Sequence, residues 1–99
     1  LSESLPEDFY VSGACWLPND QGGLVASVSD NGEFALVNLT GELVLLREYN
    51  DKTYDLEAVS AGPLPGYAYV AVEDPPQIIE VSSASGLMLR AWNIEMPTS

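Results

Sequence analysis

The sequence predicts an all-β chain made of two consecutive four-stranded antiparallel units, and three observations predict it. Short apolar runs rich in Val, Leu, Tyr and Phe alternate with clusters of Gly, Pro, Asn and Asp from about Val11 to Ile94. No segment sustains the 3.6-residue period of an amphipathic helix. The second half of the chain repeats the first at an offset of 44 residues.

Taken in order, the apolar runs place strands near 11–17, 24–28, 33–38 and 43–48, then near 55–60, 67–72, 77–82 and 87–92. Asp30-Asn31-Gly32 supplies the positive-φ positions of a tight hairpin, with Asp30 expected to bond its own turn. Thr40-Gly41 and Ser85-Gly86 play the same part before the fourth strand of each unit. In the second unit Glu73-Asp74-Pro75-Pro76 stands where the first has its Asn-Gly hairpin, and its prolines predict a stiff, projecting rim loop.

The offset aligns Ala14 with Ala58, Gly22 with Gly66, Val28 with Val72, Asp30 with Asp74 and Val37 with Val81. One further residue then aligns Gly41 with Gly86 and Val44 with Leu89. A period in the mid-forties with four short strands per unit is the pattern of β-propeller blades, whereas nothing in a Greek-key sandwich requires its halves to match. The chain divides accordingly into an acidic arm over 1–10, a first blade over 11–53 and a second over 54–99. Two blades alone leave two apolar faces open. The pair is therefore expected to be part of a larger propeller or of an oligomeric ring. A homo-oligomer of three copies would give six blades through head-to-tail contacts.

Val11-Ser12-Gly13-Ala14, Val28-Ser29-Asp30-Asn31, Leu39-Thr40-Gly41-Glu42-Leu43, Tyr54-Asp55-Leu56-Glu57-Ala58-Val59 and Val70-Ala71-Val72-Glu73 together resemble two adjacent blades of the bacterial SdiA-regulated family. The resemblance covers roughly 11–94 and implies a β-propeller, exported or periplasmic, with no securely assigned enzymatic activity. The chain is more loosely similar to esterase-like phytase propellers and other calcium-associated blades. It departs from the family pattern in its length and at Ala58, where the Asp-x-Glu segment usually continues with Gly, a departure that argues against a close backbone approach there.

Composition narrows the function classes. Fifteen carboxylates against three cations, Arg47, Lys52 and Arg90, leave a net charge of −12, which repels phosphate backbones and disfavours nucleic acid as a partner. Divalent cations or basic proteins suit this charge, as does a plain solubilising role. No run is long and apolar enough for a membrane-spanning segment, and Leu1 to Tyr10 lacks the basic and apolar parts of a leader. The chain starts at Leu1 rather than Met, which leaves open a processed or excised piece of something longer. With no histidine, it cannot by itself supply a histidine-based triad or an ordinary catalytic zinc site. Cys15, alone in an apolar run, reads as a buried core thiol.

Asp55 and Glu57 lie two apart at the start of a first strand, so their side chains share a face, and in a propeller that strand lines the central channel. Asp30 and Glu73, at the ends of second strands, join them as candidate oxygen ligands for Ca2+. A capping role for Asp55, or simple exposure, stands beside that reading. Ser12 has neither a nucleophile elbow nor a histidine partner. The Trp and Tyr residues read as blade packing, and the Asn38-Leu39-Thr40 sequon as a chance match. The function expected is a non-catalytic binding or assembly module. The alternative is a calcium-dependent hydrolase with a site shared between blades or protomers.

Overall fold

The structure, a computed structural model, describes residues 9–18, 23–49, 54–74 and 76–94. Among them are eight strands: β1 (Val11–Leu17), β2 (Leu24–Ser29), β3 (Glu33–Val37), β4 (Leu43–Glu48), β5 (Asp55–Ala61), β6 (Tyr67–Asp74), β7 (Gln77–Ser82) and β8 (Met88–Asn93). They form two antiparallel meanders, β1-β2-β3-β4 and β5-β6-β7-β8. The chain is all-β, as its patterning predicts. No helix among the described residues is long and apolar enough to cross a membrane.

The turns are closed by short polar side chains, though not always the expected ones. In the β2–β3 hairpin the hydroxyl of Ser29, not Asp30, accepts the N–H groups of Asn31 and Glu33, at 3.2 and 3.3 Å. Gly32 follows with φ of 79°, a backbone angle that side-chain-bearing residues rarely adopt. Asn38 Oδ1 accepts the N–H groups of Thr40 and Glu42, at 3.0 and 2.9 Å, so the sequon residues build the β3–β4 turn. Ser82 does the same work before β8, accepting from Ala84 and Ser85. Of the expected rim loop, Pro75 lies outside the described residues. Strand β6 runs through Glu73 and Asp74, and the Pro76 carbonyl accepts the Ile94 N–H.

Register decides which residues share a face. In the first sheet the rows Gly13–Val28–Phe34–Arg47 and Cys15–Ala26–Leu36–Leu45 form one side, here called the front. The rows Ala14–Ser27–Ala35–Leu46 and Trp16–Val25–Val37–Leu43 form the back. Both sheets carry an unpaired bulge residue in the first strand, Ser12 and Glu57, and another in the fourth, Val44 and Leu89. Laying bulge on bulge brings every row of one sheet onto a row of the other. The first sheet's front rows fall on Ala58–Ala71–Ile78–Trp92 and Ser60–Tyr69–Glu80–Arg90. Its back rows fall on Val59–Val70–Ile79–Ala91 and Ala61–Ala68–Val81–Met88.

This corrects the simple 44-residue alignment in the first two strands. Ala14 corresponds to Val59, Val28 to Ala71 and Asp30 to Glu73, while Val37 with Val81 and Val44 with Leu89 stand. Gly22 lies outside the described residues. A one-residue slip exchanges the faces of a strand, so the correction changes which surfaces correspond.

The two sheets pack front to back. Phe34, Leu36, Ala26 and Val28 of the first front and Val59, Val70, Ile79, Ala68 and Val81 of the second back are buried in one shared cluster with Leu17, Tyr49, Leu56 and Val72. Burying each large member is worth about 1.5–3 kcal/mol relative to exposure. The first strands approach most closely, with β5 lying against β1 and β2. A Cβ on Gly13 would sit 2.9 Å from both the Ala58 Cα and the Glu57 carbonyl oxygen. The close backbone approach at Ala58 does occur, and the absent side chain that permits it belongs to Gly13 rather than to position 58. At the outer strands, Tyr49 Oη donates to the Gly86 carbonyl at 2.6 Å and Arg47 Nε to the Ser85 carbonyl at 2.8 Å.

Two side-chain expectations are revised. Cys15 is half-buried at the edge of the core rather than within it. Its thiol is pushed up by desolvation, against the pull of a hydrogen bond with the Ala61 backbone. The aromatics divide: Tyr49 is buried, whereas Trp16 and Trp92 are 49% and 43% exposed, on the back of the first sheet and the front of the second; in the centre of that back, Ser27, Ser29, Glu33 and Ala35 are buried.

Candidate functional site

The four carboxylates singled out by sequence do not all meet. Asp55, Glu57 and Glu73 do, each offering an oxygen within 4.8 Å of the others, and Asp30 is not a member of the group. The cause is a double irregularity at the start of the second sheet. Asp55 pairs with Asp74 and Leu56 with Val72, which leaves Glu73 without a partner opposite. Leu56 pairs with Val72 and Ala58 with Ala71, which does the same for Glu57. Bulges re-aim side chains, and here they turn two glutamates toward Asp55. Asp30 occupies the position corresponding to Glu73, but Tyr10 and Ser12 stand where the second sheet has Asp55 and Glu57. The first sheet therefore lacks the acidic companions.

Three carboxylates this close cannot all be charged without mutual repulsion. The Glu57 carboxyl is accordingly pushed up to about 7, first by its hydrogen bond with Glu73, then by that with Asp55, with a further contribution from desolvation. Glu57 and Glu73 are exposed and Asp55 is half-buried. One oxygen of Asp55, Oδ1, is itself buried and has no hydrogen-bond partner. The arrangement can hold a shared proton, or supply three ligands of the six to eight oxygens that Ca2+ takes.

A second cluster lies on the uncovered front of the second sheet. Arg90 contacts both carboxylate oxygens of Glu80 at 3.1 Å, and Tyr69 Oη donates to Glu80 Oε2 at 2.7 Å. The guanidinium lies over the Trp92 ring, 5.0 Å from its centroid, and the Tyr69 ring stands 6.4 Å from that of Trp92. Arg90 and then Tyr69 hold the Glu80 carboxyl below its ordinary value. Sequence reasoning passed over this cluster, although a signal was present. Glu80 and Arg90 each interrupt an apolar run, and the two runs are consecutive strands.

A third feature is an open groove of about 380 Å³ at the other end of β5, lined by Leu17, Pro18, the 61–67 segment and Ser83.

No protein-family model matches this chain, and no curated protein matches it either.

Proposed function

We propose that the chain is a non-catalytic binding or assembly module, a pair of β-propeller blades completed by self-association or by further blades. One observation carries this reading: the two sheets pack front to back. Such packing, unlike a face-to-face sandwich, leaves one front and one back outside the contact between the two sheets, and is of a kind that another unit could continue. The exposed Trp92 lies on the front of the second sheet, and the exposed Trp16 at the margin of the first sheet's back, whose centre is buried. The resemblance to SdiA-regulated propellers agrees with this and favours an exported or periplasmic protein. Light scattering over a range of concentrations tests the reading. A mass of several chains is expected, three giving six blades. The mass of one chain at every concentration would remove completion by self-association.

The second reading, a calcium-dependent hydrolase with a site shared between blades or protomers, is favoured by the Asp55, Glu57 and Glu73 group alone. Calcium titration followed by thermal melting separates the two. Under the second reading calcium raises the melting temperature of the natural protein and not that of Asp55→Asn. No shift in either would leave the hydrolase without support.

A further inference from the structure

We propose that a second copy of this chain pairs its β8 with β8 of the first, antiparallel and edge to edge, so that the second sheets of two chains join into one. β8 closes its sheet and, among the described residues, pairs only with β7. Every one of its residues is exposed. Leu87, Met88, Leu89, Trp92 and Ile94, all large apolar side chains exposed to solvent, fall within the short stretch 87–94. Proteins blunt open edges with charge, proline, cover or bulges, and of these devices β8 has only the bulge at Leu89. The last strand of the other sheet is built differently. Glu42 precedes β4, Glu48 ends it, and Arg47 and Tyr49 reach across to the second sheet.

The ladder fixes where the backbone groups of β8 point. Ile94 donates its N–H to the Pro76 carbonyl, and in an antiparallel ladder bonded pairs alternate with non-bonded ones. Trp92–Ile78 and Arg90–Glu80 are therefore bonded pairs, and the N–H and C=O groups of Ala91 and Asn93 point away from β7. Charge favours a second copy as the strand that meets them. In a chain of net charge −12, like meets like only where no carboxylate is free, and the sole charge from Leu87 to Ile94 is Arg90, already paired with Glu80. A two-fold register centred on Ala91 sets Arg90 of each chain opposite Trp92 of the other, repeating between chains the contact of guanidinium and ring made within one. The inference does not rest on the stacking of blades. β5 is the strand that lies against the first sheet and β8 is at the opposite edge, so a further blade leaves this edge open.

Light scattering on two variants tests the edge pair. Ser60→Lys, at an exposed position on the front of the second sheet, blocks a further blade and leaves β8 intact. Ala91→Pro removes an N–H that points away from β7 and so keeps the β7–β8 ladder. Circular dichroism checks folding, and Trp92→Lys, which sets like charges opposite each other across the pair, serves if Ala91→Pro does not fold. Ser60→Lys is expected at the mass of two chains, and Ser60→Lys with Ala91→Pro at the mass of one. A one-chain mass for Ser60→Lys, or a two-chain mass kept by the double variant, overturns the edge pair. If the natural protein forms larger assemblies in either case, the assembly reading stands. A natural protein of one chain's mass at every concentration overturns both pairing and self-assembly, and leaves the edge to a strand of another protein.

Discussion

The two sheets share a hydrogen-bonding frame down to the placing of their bulges, yet matching positions are filled for opposite purposes. The front of the first sheet carries Val28, Phe34 and Leu36, all buried, whereas the matching positions of the second carry Ala71, Ile78 and Glu80 on an uncovered surface. The first front thus acts as a core, and the second as a surface whose one carboxylate is neutralised in place. What repeats is the geometry. The side chains record whether a neighbour is already present within the chain.

The largest effect that can test this contrast comes from Phe34 and Ile78, which occupy corresponding positions. Phe34→Ala is expected to cost about 3–5 kcal/mol in urea unfolding, as deletion of a buried aromatic does. Ile78→Ala should cost only about 1 kcal/mol, as befits a half-buried side chain, at concentrations where a single chain is present. Equal losses would mean that both faces are covered.

Gly13 and Ala58 give a smaller, sharper comparison. Gly13→Ala drives a methyl group against the backbone of β5 and is expected to destabilise by about 1–3 kcal/mol. The reverse exchange, Ala58→Gly, costs about 0.5–1 kcal/mol through backbone freedom alone. Thermal melting of the two variants orders them, and a Gly13→Ala protein as stable as the natural one would deny the close approach of β1 and β5.

The smallest effect is that of pH on Glu57. Its carboxyl is raised in the folded chain from the ordinary value of 4.5 to about 7, so the folded state holds the proton more tightly than the unfolded one. Stability from this group is complete below pH 4.5 and is lost as pH rises toward 7. Melting temperatures across that window should fall less for Glu57→Gln than for the natural protein. Identical slopes would show that the three carboxylates do not interact.

The strands and their order were legible because alternating apolar runs and turn residues are local signals, and all eight expected strands form within two residues of their expected ends. The correspondence of faces was not legible. Matching letters at a constant offset paired Ala14 with Ala58 and Val28 with Val72, but a bulge carries no letter of its own, and one extra residue turns the rest of the strand over. The site was half legible for the same reason. Asp55 and Glu57 stood out by spacing, whereas Glu73 joins them and Asp30 does not because of irregularities that composition does not mark. The Glu80–Arg90 pair could have been found by asking why the chain spends one of its three cations in the middle of an apolar strand.

The bulges at Ser12 and Glu57 also separate two kinds of inheritance. A residue without a ladder partner can change its side chain while its neighbours keep theirs, so the frame can be copied faithfully while these two places vary. One copy holds a hydroxyl there and the other an acid. Duplicated units built in this way can acquire new chemistry at a fixed address, one substitution at a time, without renegotiating how they stack.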